Sequence, residues 1–233
     1  MKKLLSVILA VALLVCLSVS PAFAAGKLSV VKENYYTVAG YSTYGYLFAK
    51  VENVGDKPIK LNAGVLEIYD ANGDALTSSD YVYNCARYLQ PGEYTYAQMY
   101  AQLEDGAAPA DYMVTFTGKS DSDYTDVRLP VTTDLKLNVE DGWWIHNYMY
   151  ATVTNNTDAD VYGINVVLAL LDAEGNILYM DADSLYSERA LTPGSSMIIR
   201  KDISSTFIEY FEANNIVPVA VDAFAYVEIE LDD

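Results

Sequence analysis

The chain has 233 residues, 52% of them apolar, and carries 32 acidic against 14 basic side chains for a net charge of −18. So acidic a surface repels phosphate backbones and anionic headgroups, which excludes nucleic acid as an expected partner and leaves solubility as the plain use of the charge. A single histidine, His146, excludes a two-histidine metal site within one chain.

The N-terminal stretch "MKKLLSVILAVALLVCLSVSPAFA" has Lys2 and Lys3, an apolar run over 4–19, and Ala22-Phe23-Ala24. That order predicts a signal peptide over 1–24 with cleavage after Ala24. The run is short for a membrane span of about 20 apolar residues. Cys16 lacks the small preceding residue of a lipidation site, so a retained or lipidated anchor is the lesser reading. No further stretch predicts a span, and the expected location is secreted, extracellular or at the cell envelope. Processing would leave 209 residues with a net charge of −20 and Cys85 as the one thiol. Without an internal disulfide, stability has to come from burial, and Cys85 reads as a small buried residue rather than a nucleophile.

The mature chain repeats itself. "YLFAKVENVGDKPIKLNAGVLEIYDANGDAL" from Tyr46 lies over "YMYATVTNNTDADVYGINVVLALLDAEGNIL" from Tyr148 at an offset of 102, without a gap. Asn53 falls on Asn155, Asp70 on Asp172, Gly73 on Gly175, Pro91 on Pro193 and Gly92 on Gly194, among 15 identities in 55 positions. Turn-forming residues kept at each interruption indicate a duplicated domain.

Each copy reads as strands. Leu47, Ala49 and Val51 alternate with Tyr46, Phe48 and Lys50, the period of two expected when one face is buried. "GVLEIYD" and "VVLALLD" continue the strand chemistry in the two copies. "EIYDANGDAL" has the spaced oxygens of a calcium loop, but Ser79 stands where that pattern requires Glu. Copy 2 keeps the Asp and the Gly but replaces Asn72 by Glu174 and Asp74 by Asn176, which is hairpin-turn chemistry. One helical pattern appears, "SSTFIEYFEANN", with Ser205 as cap and Phe207 and Phe211 on one face. The prediction is all-β: two tandem immunoglobulin-like antiparallel β-sandwich domains after a cleaved signal peptide. The first spans 25–120 and the second 134–233, the second expected to fold alone. The polar segment 121–133 reads as a linker whose Asp121, Asp123 and Asp126 are solvated, or else offer oxygens to calcium.

The order "V-x-N-x-G-D-K-P", "L-E-I-Y-D-A-N-G-D-A-L" and "L-Q-P-G-E" resembles the FxLYD domain family of bacterial exported proteins. Copy 1 carries it through Val51, Asn53, Leu66, Ile68, Tyr69, Asp70, Gly73, Leu89, Pro91 and Gly92. Copy 2 departs from it at Thr157 and Leu171. The resemblance implies a β-sandwich module of surface proteins and supplies no catalytic residue.

Enzyme motifs are scarce: there is no G-x-S-x-G, no phosphate-binding glycine loop and no metal-ligand spacing. No cofactor is called for. Two aromatic features remain as candidate ligand contacts. "GWWIH" places Trp143, Trp144 and His146 together; on a strand one Trp faces in and the other out, forming a contact surface or covering the domain junction. In "YTYAQMY", Tyr94, Tyr96 and Tyr100 share one strand face, as a binding surface or as an ordinary half-buried sheet. The sequence thus points to a non-catalytic binding or structural module acting on a protein or glycan of the envelope or a host surface. A carbohydrate-binding protein using exposed Tyr and Trp is one alternative, and an extracellular enzyme with unlocated carboxylates is the other.

Overall fold

The period-two stretches form strands, and the Gly, Asn and Asp residues between them form turns. A computed structural model describes residues 26–120, 123–185 and 188–231; the predicted signal peptide lies outside them. Sheet A joins β1 (Leu28–Ala39), β2 (Thr43–Asn53) and β6 (Tyr94–Leu103) in that order. Sheet B places β3 (Ile59–Tyr69) between β4 (Ala75–Ser79) and β7 (Asp111–Lys119), with the short β5 (Tyr88–Leu89) also on β3. In the second half, β9 (Val131–Asp141), β10 (Trp144–Thr154) and β13 (Ser196–Asp202) form sheet D in the order β13-β10-β9. Sheet C has β8 (Tyr124–Leu129), β11 (Asn165–Leu171), β12 (Ile177–Ser184) and β14 (Ala220–Glu230) in the order β12-β11-β14-β8. All pairings are antiparallel. The protein is therefore all-β, as predicted, with one described helix, α1 (Ser205–Ala213).

The duplication is visible in the strand register. Tyr46 faces Tyr100 and Leu66 faces Ser79; Tyr148 faces Asp202 and Leu168 faces Asp181, so both pairs recur at the offset of 102. The kept residues are kept for their hydrogen bonds. Asn53 is fully buried, donates to the Lys57 and Leu89 carbonyls at 2.8 and 3.0 Å, and accepts from the Gly55 and Lys27 N–H groups. Asn155 repeats this with the Ala159 and Leu191 carbonyls and the Thr157 N–H. Each Asn thus spends all of its bonding capacity on tying an interior bend. In the β3–β4 turn, Asp70 Oδ1 accepts from the Asn72 and Asp74 N–H groups while Gly73 takes φ 85°. The first bond from Asp74 leads a set that holds the Asp70 carboxyl below its usual range. Asp172 and Gly175 repeat the turn.

The layers stack in the order B, A, C, D. Sheet A turns Leu47, Ala49, Val51, Ala97 and Met99 toward sheet B. Its other face turns Tyr36, Phe48 and Tyr96 into a core shared with sheets C and D and α1. This departs from the one-buried-face reading of "YLFAKVEN": Phe48 is as completely buried as Leu47. β11 shows the same from the other side, since Val166, Val167, Leu168, Ala169 and Leu170 are all buried. A continuous apolar run is the signature of a strand covered on both faces. Across the seam, Lys32 donates to the Glu174 carbonyl and Asn34 to that of Ile177.

The predicted linker contains β8, which pairs with β14 over Tyr124 to Leu129 and completes sheet C. Asp126 accordingly points inward rather than to solvent, only 3% exposed, and accepts the Tyr88 N–H at 3.0 Å. Burial pushes its carboxyl up to about 6. The stretch is polar because its strand lies in a polar part of the seam. The helix falls where its pattern placed it, with Phe207 and Phe211 buried.

Candidate functional site

The β9–β10 hairpin ends in a tight turn at Gly142 and Trp143, with Gly142 at φ 63°. A side chain in a two-residue turn has no strand neighbour on either side. Trp143 is 97% exposed and Trp144, at the first strand position, 73%. The in-and-out alternation expected of the pair fails because the strand starts only at Trp144. Neither ring covers the junction between the two halves.

A β-bulge interrupts the hairpin between His146 and Tyr148. Opposite it, Asn138 takes φ 57° and donates its N–H to Asn147 Oδ1 at 3.0 Å. The Asn147 carbonyl accepts from Ile203, which anchors the connection leading into α1. Bulges re-aim the side chains around them, and here a groove of about 510 Å³ opens between the hairpin and the helix. Trp144, Ile145 and His146 form one wall, and Ser205 and Ile208 of α1 the other. Asp202, Glu209 and Glu212 stand at its margins, with no Lys or Arg in the lining. The His146 ring stacks on Tyr148 at 5.4 Å and its Nδ1 lies 3.8 Å from Asp202 Oδ1.

On the far flank of α1 lies a second recess, of about 240 Å³, lined by Tyr41, Tyr44, Tyr46, Thr206 and Phe207. Tyr41 caps the β1–β2 hairpin and is fully exposed. Gly40-Tyr41 aligns with Gly142-Trp143 in the repeat. That alignment was the available signal for Tyr41. Nothing local in the sequence marked Asn138, Asn147 or Ile208, which the bulge and the helix bring in.

The tyrosine face divides. Tyr96 is 2% exposed, and both its hydroxyl and that of Tyr94 donate to Asp222 Oδ2, at 2.6 and 2.9 Å. Burial pushes the Tyr94 phenol up to about 12. Tyr96 is thus enclosed in the seam, while Tyr94 stays half-buried and lines a recess with Gly92, Glu93, Arg128 and Phe224. Tyr100 lies beyond the seam, stacked on Tyr83 at 4.7 Å and 5.6 Å from Tyr46. Cys85 is mostly buried beside Tyr226, whose hydroxyl donates to its carbonyl, and burial raises the thiol to about 11. Burial thus disfavours the thiolate, which is the reactive form. Among the described residues no group of three potential metal ligands converges, and no helix is long and apolar enough to cross a membrane.

No family model and no curated protein matches the chain. Among solved structures it is similar to the C-terminal globular domain of an oligosaccharyltransferase from Pyrococcus abyssi, at 9% identity and a TM-score of 0.20. The match covers 88% of this chain and 48% of that one, so the chain spans about half its length. A TM-score of 0.20 equates neither topology nor site.

Proposed function

We propose that the protein is an exported, non-catalytic binding module of the FxLYD type that holds a glycan of the cell envelope in the groove beside Trp144. The observation that carries this reading is an exposed tryptophan pair at the hairpin tip, of which Trp144 borders a groove with apolar walls and amide and carboxylate margins. A sugar ring has an apolar face that stacks on an indole and hydroxyls that need amide and carboxylate partners. Asn138, Asn147, Asp202 and Glu209 supply such partners around Trp144. The carboxylates disfavour a polyanion and suit a neutral or amine-bearing sugar.

Three carboxylates in one groove invite comparison with a glycosidase. A general acid for that reaction needs an enclosed setting that keeps it protonated. Glu209 and Glu212 instead stand exposed on α1, and Asp202 is exposed at the end of β13. That favours binding over hydrolysis.

Trp143 and Trp144 are the only tryptophans, so intrinsic fluorescence reports on the hairpin tip alone. Titration of the mature protein with soluble neutral envelope glycans is expected to give saturable quenching. Trp144→Ala should weaken binding at least about tenfold, or about 1.4 kcal/mol, with an unchanged circular dichroism spectrum. Capture of an envelope protein without any response to glycans would replace this reading with a protein partner. Release of reducing sugar would replace it with an enzyme.

A further inference from the structure

We infer that the ligand is a polymer whose chain runs from the Trp144 groove, over the first turn of α1, onto a row of tyrosines on sheet A. The inference rests on the glycan reading and extends it from one groove to a path with two subsites.

The first support is the placement of the two hairpins. They are copies of one repeat element, each tipped by Gly and an exposed aromatic residue; Gly40 and Tyr41 line the recess against α1, and on the second hairpin the residues just past the tip, from Trp144, line the groove against the same helix. The recess under Tyr41 and the groove under Trp144 share Ser204, the residue at the head of α1. Successive helix residues are turned by about 100°. Ser205, Ile208 and Glu209 therefore face the tryptophan side, while Thr206 and Phe207 face the tyrosine side. The helix, about 10–12 Å across with its side chains, separates two recesses joined over its N-terminal end. A ligand confined to the Trp144 groove touches one recess, whereas a chain that crosses the head of the helix at Ser204 touches both.

The second support is that the aromatic surface continues past Tyr41. Tyr44 lies 5.9 Å from Tyr100, Tyr100 is stacked on Tyr83, and Tyr83 lies 4.2 Å from Tyr81, which is 57% exposed. Tyr46 packs against the shared core, but Tyr41, Tyr44, Tyr81, Tyr83 and Tyr100 are exposed or half-buried and belong to neither core. Such a row offers successive sugar faces the same contact that Trp144 offers the first. The occupant is fixed by charge. Neither recess is lined by Lys or Arg, and the carboxylates at the first exclude uronic, sulfated or phosphate-bearing polymers.

The test uses the full mature chain and two sets of β-linked oligomers, of N-acetylglucosamine and of glucose, as disaccharide and hexasaccharide. Affinities are read by tryptophan fluorescence and by calorimetry. A single continuous path predicts that the hexasaccharide of the recognised sugar binds at least about tenfold tighter than the disaccharide, since the second contact is intramolecular. Tyr41→Ala and Tyr81→Ala, both at exposed positions, should bring the hexasaccharide down toward the disaccharide. Equal affinity for both lengths, or length dependence unaltered in the tyrosine variants, overturns the path while leaving the Trp144 groove as a glycan site. Absence of binding by every oligomer overturns both readings. Tighter binding of a polygalacturonate hexamer than of the neutral ones overturns the charge argument and with it the assigned ligand class.

Discussion

Asn53 and Asn155 are the residues the duplication could least afford to change. Each is wholly enclosed and ties three separate backbone segments, including the Gly92 or Gly194 N–H that donates to its carbonyl. Replacing either by Ala leaves buried carbonyl and amide groups without partners, at about 1–3 kcal/mol for each group left bare. Asn155→Ala is expected to lower the unfolding free energy by about 3 kcal/mol or more, read from urea denaturation. A loss below about 1 kcal/mol would show that water replaces the amide there. Asp126 acts in the opposite sense. Its carboxyl is raised by burial to about 6, so between about pH 4 and 6 the folded chain keeps a proton the unfolded chain has released. Its contribution to stability is therefore full below that window and lost as pH rises through about 6. Arg128 offsets part of the effect and Glu228 adds to it. Asp126→Asn retains the acceptor for Tyr88 and removes the charge. The difference in melting temperature between variant and parent should grow in the variant's favour from about pH 4 to about pH 7. A constant difference would place the titration elsewhere.

At the scale of elements, β8 decides how the chain divides. A fragment over 134–233, the unit suggested by repeat alignment, removes β8 and the first residues of β9. It also bares the face of sheet C that meets Phe48 and Tyr96. Such a fragment is expected to aggregate or to show weak near-ultraviolet dichroism, whereas the whole mature chain should unfold in one cooperative transition. A well-dispersed amide spectrum from the fragment would show that the seam adds little. The duplication, the hairpin turns at Asp70 and Asp172 and the helix over Phe207 and Phe211 were legible in the sequence, because turns and amphipathic periods are local. β8 was not, because a short polar strand pairing across the seam carries no local signal. β11 carried one that alternation counting passes over: "VVLALL" has no polar face at all. The candidate site was half legible. Two adjacent tryptophans and His146 marked the hairpin, while Tyr96 shared parity with Tyr100 yet is buried in the seam.

For the whole molecule, the buried seam follows from what each copy does with one aligned face. In sheet A, Tyr46 and Phe48 meet Phe207 and Tyr179 of the second half. The aligned residues of sheet D are Tyr148, buried under its neighbours, and Tyr150, half-buried. There Arg200 lies over the Tyr148 ring at 4.7 Å and Lys136 over Tyr150 at 5.1 Å. A surface that docks one copy onto the next is a head-to-tail contact, and such contacts repeat without limit unless something blocks the free end. Arg200 and Lys136 supply that block: two cations laid over the tyrosines give the last sheet a charged skin. Removing both charges would strip that skin from the face, and self-association of such a variant, read by light scattering, is the expected consequence.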